Sequence, residues 1–236
     1  KCSGVIVLNQ CQPAVVEKID RLGLPVVFVD MINPLDIPSD QVMANNFNAG
    51  MQAVRYLLDK GHREILLFGN TEYSYSFLQR FYGCAKMVKR AQRGGEKIVC
   101  HKIADCEKTH LIDGVYQDDE SDLCNDAALC RFLDGGEKVT AVVCFNDSIL
   151  RRVLCIFKKR GIRVPEDISL ISIDNVQCSE DNDVTPVDIP KTELGIQAVR
   201  LLMDRLENRR SNSVSLELNT TIVERNSVKE LHHEKI

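Results

Sequence analysis

The sequence lacks the features that would mark a membrane protein or a nucleic-acid-binding surface. Its 236 residues include no Trp and no apolar run near the roughly 18 residues that a membrane-spanning helix needs. Positive charge is not in excess either, since 30 Lys and Arg stand against 34 Asp and Glu and give a formal charge of −4. That sign disfavours a surface that holds the nucleic-acid backbone. We therefore expect a globular protein that does not contact a membrane, and we expect that this chain itself does not bind DNA.

Motifs for catalysis, phosphate binding and metal binding are also missing. The chain has no Cys-x-x-Cys pair, no Walker A or G-x-G-x-x-G loop, no G-x-S-x-G elbow and no H-E-x-x-H helix. Its five histidines are scattered, and His232-His233-Glu234 is typical of a solvated tail. We predict no enzymatic activity, no cofactor and no metal.

Ten cysteines raise the question of a disulfide framework. Such frameworks belong to short secreted chains that cannot bury a core, and this chain is long enough to bury one. Several cysteines, among them Cys144, lie within apolar runs where a free thiol behaves as a small hydrophobe. The opening residues 1–6 lack the order of a signal peptide. The sequence thus favours free thiols and a cytoplasmic protein.

Short apolar runs alternate with helical patterns along the chain. Phe47, Met51, Val54 and Leu58 recur at helical spacing and predict an amphipathic helix that ends before Gly61. The apolar runs are almost continuous, which is typical of parallel strands covered by helices on both faces. The pattern predicts an α/β fold with right-handed crossovers. The predicted strands are residues 4–8, 25–29, 65–68, 97–100, 141–145 and 168–173.

Polar residues follow several of these runs, where α/β sheets bind their ligands. Asp30, Asn146 and Asp174 each stand at the end of an apolar run, and Tyr73 lies in a stretch rich in Tyr, Ser and Asn after another. Structural alternatives remain open: Asp30 fits a turn, Tyr73 or Phe77 fits a core position, and Asn146 fits a helix N-cap. Residues 147 and 148 offer alternative caps.

Four segments strongly resemble the lactose-repressor/galactose-repressor (LacI/GalR) family. They are residues 45–65, the Arg-Phe-Tyr-Gly of residues 80–83, the Phe-Asn-Asp-Ser of 145–148 and the Val-Pro-Glu-Asp-Ile segment that runs through 164–174. The order and spacing of these segments match the family over most of residues 4–228. The Glu-Arg-Asn-Ser of residues 224–227 is similar to the closing motif of the family.

A narrower resemblance links the end of the chain to arabinose repressors. The Asp-Ile-Pro-Lys of residues 188–191 and the closing motif carry it. Arabinose repressors join this sensor to a winged-helix module of the GntR type, so the resemblance implies a DNA-binding module outside this chain. Two strand–helix units that open the family's sensor have no counterpart before residue 4. We expect the first lobe to be incomplete here.

The resemblance implies a two-lobed, periplasmic-binding-protein-like (type I) domain with parallel sheets flanked by helices. The expected first lobe comprises residues 1–67 and 187–212, the second comprises 68–186 and 213–228, and 229–236 form a tail. The expected exposed acidic loop is residues 106–125.

The implied function is to bind a monosaccharide or a derivative between the lobes and to transmit closure to the DNA-binding module of a homodimer. Hydroxyl groups both donate and accept hydrogen bonds, so polar side chains of mixed type suit them. A secreted solute-binding protein of a sugar transporter and an α/β enzyme are the alternatives. The predicted ligand-binding residues are Arg80, Asn146, Asp174, Lys191, Asp30 and Tyr73.

Overall fold

The computed structural model describes residues 2–8, 11–104, 111–112, 115–116, 126–176, 183–207 and 212–231. Most of the predicted acidic loop therefore lies outside the described residues. Its described parts are two short antiparallel strands, β6 (Leu111–Ile112) and β7 (Val115–Tyr116). No helix within the described ranges is both long and apolar enough to cross a membrane.

The first of two larger sheets has four parallel strands in the order β1-β2-β3-β11. Helix α6 (Lys191–Leu206) packs on one face of this sheet, and α1 (Pro13–Asp20) covers strands β1 and β2 on the other. The strands are β1 (Val5–Leu8), β2 (Val26–Val29), β3 (Asp40–Ala44) and β11 (Ser215–Leu218).

The second sheet has six strands in the order β12-β10-β9-β8-β4-β5. All its neighbours are parallel except β12 and β10. Its strands are β4 (Glu64–Phe68), β5 (Val99–Ile103), β8 (Ala141–Cys144), β9 (Ser169–Asp174), β10 (Thr185–Asp188) and β12 (Thr221–Ile222). Its helices are α2 (Asn46–Asp59), α3 (Tyr75–Arg93), α4 (Ala127–Asp134) and α5 (Asp147–Arg160).

These sheets and helices confirm the predicted α/β fold with parallel strands. The interior strands of the six-stranded sheet are buried nearly throughout, as β8 is at all four of its residues. Continuous apolarity follows from this burial, because helices cover both faces.

Strand pairing differs from the predicted lobe boundaries in three places, the smallest of which is that Val187 and Asp188, expected in the first lobe, belong to β10 of the six-stranded sheet. Strand β4, whose first four residues fall in the expected first lobe, pairs with β5 and β8 of the six-stranded sheet, and α2 packs on this sheet as well. Strand β11, expected in the second lobe, pairs with β3 of the four-stranded sheet. Hydrogen bonding between strands decides these assignments, and a contiguous stretch of sequence does not reveal which sheet a strand joins.

The described part of the predicted tail is fixed to the body of the protein. The amide of Leu231 donates to the carbonyl of Lys60, and the buried ring of His62 contacts the carbonyl of Lys229 at 3.1 Å and Thr140 Oγ1 at 2.9 Å. Residues 229–231, the first part of the expected tail, thus pack at the end of α2, and the predicted solvated residues 232–234 lie outside the described residues.

The cysteines match the expectation of free thiols only in part. Cys84 and Cys144 are buried and form no disulfide, and burial raises the pKa of Cys84 well above its ordinary value. Cys155 departs from the expectation because it is disulfide-bonded.

Candidate functional site

The close contact of α2 and α3 brings the candidate residues together. A Cβ built on Gly50 would overlap the carbonyl oxygen of Arg80, and a Cβ built on Gly83 would overlap that of Phe47. Only glycine permits backbones to approach this closely. The two glycines therefore set Arg80, on α3, against the first turn of α2.

Each of these helices begins at the carboxyl side of a strand and has its own cap. Asn45 Oδ1 accepts from the amide of Asn48 at 2.8 Å, and Ser74 Oγ accepts from the amide of Phe77 at 3.2 Å. The caps satisfy amides that a helix N-terminus leaves without partners. Both helices consequently start where polar side chains from neighbouring strand ends converge.

Arg80 lies at the centre of this region and is only 2% exposed. Its Nε donates to Asn46 Oδ1 at 2.8 Å, its Nη2 donates to Asp174 Oδ1 at 2.8 Å, and its Nη1 donates to the carbonyl of Phe145. The guanidinium fork therefore joins the end of β3 to the ends of β8 and β9. In this conformation every guanidinium nitrogen already has a protein acceptor.

Asp30 extends the network to the end of β2. Its Oδ1 accepts from Asn46 Nδ2 at 3.4 Å and from Ser76 Oγ at 3.3 Å. The residue has φ 54°, which is uncommon for a non-glycine residue and turns the chain sharply after the strand. Asp30 is thus both the turn residue and a member of the cluster.

Asp174 occupies the facing strand end, and its side chain is 24% exposed. Burial raises the pKa of this carboxyl to about 6, the cation of Arg80 opposes that rise, and the carboxylate of Asp147 adds to it. Lys191, the first residue of α6, donates through Nζ to the backbone carbonyl of Asp174. Arg80 and Lys191, both predicted ligand residues, therefore hold Asp174 through its side chain and its backbone, respectively.

Asn146 is the N-cap of α5. Its Oδ1 accepts from the amide of Ile149 at 2.8 Å, so Asn146 itself caps the helix in place of residue 147 or 148. Tyr73 is half-buried, with its ring 4.9 Å from that of Phe77, and Phe77 meets Phe145 edge-to-face at 5.8 Å. The guanidinium carbon of Arg80 lies 5.6 Å from the centre of the Phe77 ring.

The structure adds residues that the sequence analysis did not select, namely Asn46, Ser76 and Asp147. The buried Asp147 holds the chain after Asp174, because its Oδ2 accepts from the amide of Val176 at 2.5 Å. Two adjacent asparagines at the start of one helix were the available signal for Asn46, since a single residue suffices for a cap. Nothing in the sequence distinguished Ser76 from an ordinary helix residue, and Asp147 was considered only as an alternative helix cap.

The cluster keeps unused acceptors beside its fixed donors. Asp30 and Asp174 each have one carboxylate oxygen that forms no hydrogen bond with a described residue, and both side chains are partly exposed. Within the described ranges, no group of three or more His, Cys, Asp and Glu side chains has the arrangement of a metal site. The arrangement can therefore receive hydrogen-bond donors from a small molecule.

Fold and cluster together define a two-lobed α/β binding domain, and comparison with known proteins identifies its family. Residues 54–228 match the family profile described as the periplasmic binding protein-like domain. The chain belongs to this family. The resemblance to the effector-binding domain of LacI/GalR regulators is thereby confirmed, whereas the narrower arabinose-repressor resemblance stays a prediction.

The curated relatives are transcriptional regulators. The chain is 30% identical to the HTH-type transcriptional repressor PurR of Shigella dysenteriae serotype 1 over 87% of its length. It is 28% identical to the PurR of Vibrio atlanticus over 92% of its length. The chain spans 56% and 61% of these two repressors, respectively, and so less than two thirds of either.

Solved structures share the fold. A LacI-family regulator from Enterococcus faecium with bound ribose superposes with a TM-score of 0.77 at 22% identity, covering 98% of this chain and 81% of that one. A periplasmic binding protein/LacI transcriptional regulator from Alkaliphilus metalliredigens with D-xylulofuranose gives 0.76 at 19% identity, covering 96% and 77%. At these identities the likeness establishes the fold.

Proposed function

We propose that this chain is the sensor of a bacterial, sugar-responsive transcriptional regulator. It binds a monosaccharide or a derivative at the cluster of strand ends, and a DNA-binding module outside this chain reads the result. The regulator works in the cytoplasm as a homodimer, and the sensor releases its sugar chemically unchanged. One observation carries this proposal: Arg80 and Asn46 join polar groups from the ends of both sheets in a single network.

The chemistry of the cluster suits a polyol. A sugar hydroxyl can donate to the unused carboxylate oxygens of Asp30 and Asp174 while it accepts from a neighbouring group. Because Arg80 is held by three acceptors, the positions of both carboxylates are fixed before the ligand arrives. Such preorganisation reduces the ordering cost of binding.

The aromatic and amide positions supply the remaining contacts. The half-buried ring of Tyr73 offers an apolar face to the C–H side of a sugar, and Lys191 and the amide nitrogen of Asn146 offer donors. Neighbours with the same fold hold ribose and D-xylulofuranose, which supports a pentose as the first ligand class to test. The relatives are regulators, which favours a regulator over a secreted binding protein.

Closure would carry the signal. A ligand that contacts Asp30 on one sheet and Asp174 on the other binds the closed arrangement more tightly than the open one. It therefore shifts the population toward closure by its difference in affinity. In a dimer this shift would alter the spacing of paired DNA-binding modules, whose half-sites must keep a fixed helical separation.

Calorimetry with a panel of ribose, xylose, arabinose and glucose tests ligand binding. We expect one pentose to bind, and Asp30→Asn to weaken it by about tenfold or more, because a charge-assisted hydrogen bond is lost. Asp134→Asn, at an exposed carboxylate on α4, is the matched control and should leave the affinity unchanged. If Asp30→Asn and Arg80→Lys both fold and bind as the unmodified protein does, the site assignment is wrong.

Two further measurements test the rest of the proposal. NMR of the bound sugar after long incubation should show no new product, and any turnover would indicate an enzyme. Gel-shift assays with the complete regulator should show operator binding that changes on addition of the sugar. Operator binding that stays unchanged with every sugar in the panel would contradict the sensor role.

A further inference from the structure

A cavity lies beside the cluster, on the part of the four-stranded sheet that α1 leaves uncovered. It has a volume of about 360 Å³, which is at the lower end of the range for small-molecule sites. Strands β3 and β11, helix α3 and the turn after β2 form its walls. Its lining includes Gln41, Met43, Ser215, Glu217, Tyr75 and Gln79.

The register of the sheet explains why this face is open. Gln41 pairs with Phe28 of β2, whose side chain packs in the cluster that contains Val16 of α1. Helix α1 covers β1 and β2 on this face and leaves β3 and β11 uncovered. Ser215 pairs with Gln41 and Glu217 pairs with Met43, so their side chains lie next to one another on the same face.

The polar groups of the cavity have unused hydrogen-bonding capacity. The side chains of Gln41, Gln79, Ser215 and Glu217 form no hydrogen bond or ion pair with any residue in the described part of the chain. Such groups are ordinary on a flat surface, where water satisfies them. Here they converge on one concavity with the ring of Tyr75, which is 42% exposed.

We propose that this cavity is a second binding site, for a small molecule that carries an ammonium group and several hydroxyl or carbonyl groups. Among the described residues that line the cavity, Glu217 alone is charged, so the cavity favours a cation. The amides of Gln41 and Gln79 both donate and accept, and the Tyr75 ring can face an ammonium group. An amino sugar combines these features.

The position of the cavity couples it to the sugar site, a part of the inference that rests on the proposed function. Tyr75 and Gln79 immediately precede Ser76 and Arg80 on α3, and Asn46 both lines the cavity and holds Arg80. A ligand that orders these residues changes the cost of ordering the sugar site. The amine is then a second effector.

Direct binding is tested with glucosamine and glucose, which differ in one ammonium group. We expect the protein to bind glucosamine more tightly than glucose in calorimetry, and Glu217→Gln to weaken glucosamine by about tenfold. Glu166→Gln removes an exposed carboxylate elsewhere and is the matched control.

The following results would show that the cavity is not the glucosamine site. Equal affinity for the two sugars, or a Glu217→Gln variant that binds glucosamine as before, overturns the proposal. Glucosamine binding that is lost in Asp30→Asn but kept in Glu217→Gln also overturns it, since glucosamine would then occupy the sugar site. Glu217 is exposed on the edge strand β11, and unchanged thermal melting confirms that its variant folds.

Coupling needs a separate measurement. Sugar affinity measured with and without saturating glucosamine should differ about fivefold or more in the unmodified protein and stay constant in Glu217→Gln. Equal sugar affinity in the unmodified protein overturns the coupling. Because glucosamine binding is measured without the effector sugar, its failure is distinguishable from failure of the proposed function.

Discussion

The two larger sheets differ in how completely helices cover their faces. Helices bury the interior of the six-stranded sheet on both faces, so strands such as β8 are apolar at every position. On the four-stranded sheet, α6 packs over β1, β2 and β3 on one face, whereas α1 covers only β1 and β2 on the other. Strand β3 accordingly alternates buried and half-buried residues, and β11 alternates half-buried and exposed ones. Partial cover leaves room for a polar cavity, whereas complete cover confines polar groups to strand ends.

The largest expected effect concerns the buried charge of the four-stranded sheet. Asp40 is fully buried and accepts from Arg205 Nε and Nη2, both at 3.2 Å, and from the amide of Val214 at 2.8 Å. Asp40→Ala leaves Arg205 largely buried without this partner, so we expect the free energy of unfolding to fall by roughly 4 kcal/mol in urea denaturation. Asp134→Ala, in an exposed pair with Arg160, is the control and should change stability little. Similar effects of the two variants would contradict this account.

A second test compares helix packing over the two sheets. Gly83→Ala should lower the free energy of unfolding by about 3 kcal/mol, because its Cβ overlaps the carbonyl of Phe47 in α2. Gly195→Ala in α6 meets no neighbouring atom and should raise it by about 0.5–1 kcal/mol through helix propensity. The opposite signs are measurable by thermal or urea denaturation. Equal signs would show that the α2–α3 contact relaxes more readily than the structure indicates.

The third test uses the pH dependence of stability that the raised pKa of Asp174 causes. Its pKa is about 6 in the folded protein against 3.8 for the ordinary carboxyl, so the folded state binds the proton more tightly. Its contribution to stability is therefore fully present below pH 3.8 and is lost as the pH rises through 6. Relative to Asp174→Asn, we expect the unmodified protein to lose roughly 2 kcal/mol between pH 4 and pH 7. A difference between the two proteins that stays constant with pH would contradict the raised pKa.

The smallest effect separates the two roles of Asn146. Asn146→Ala should destabilise the protein by about 1 kcal/mol through loss of the α5 cap, and Asn146→Ser should restore most of that stability. A ligand role predicts that sugar affinity stays low in the serine variant, because the amide nitrogen is gone. Sugar affinity that returns together with stability would limit Asn146 to capping.

The sequence predicted the strands of the covered sheet better than those of the half-covered one. Ile65–Phe68, residues 141–145 and residues 168–173 are continuous apolar runs and correspond to β4, β8 and β9. Strands β3 and β11 were absent from the prediction, because Asp40-Gln41-Val42-Met43-Ala44 and Ser215-Leu216-Glu217-Leu218 contain no continuous run. Alternation over four or five residues is too short to stand out without knowledge of the partner strand.

The candidate site, like the fold, was predicted from the sequence only in part. Strand ends and the family resemblance selected Arg80, Asp30 and Asp174, which the structure places in one network. Neither source indicated that Asn46 would bridge Asp30 and Arg80, because that bridge depends on the distance between α2 and α3. Two glycines 33 positions apart set this distance, and the sequence does not show that they lie at one helix contact.

Local chemistry in the sequence determined the α/β class, the strands with continuous apolar runs and the polar residues that end them, since apolar runs, helical spacing and strand-end residues act over a few neighbouring positions. The tertiary structure alone decided which sheet β4 and β11 join, which side chains share the guanidinium of Arg80, and that one sheet face stays open beside it. These outcomes depend on strand pairing and helix approach between residues far apart in the chain. Their energies arise only when the sheets and helices pack.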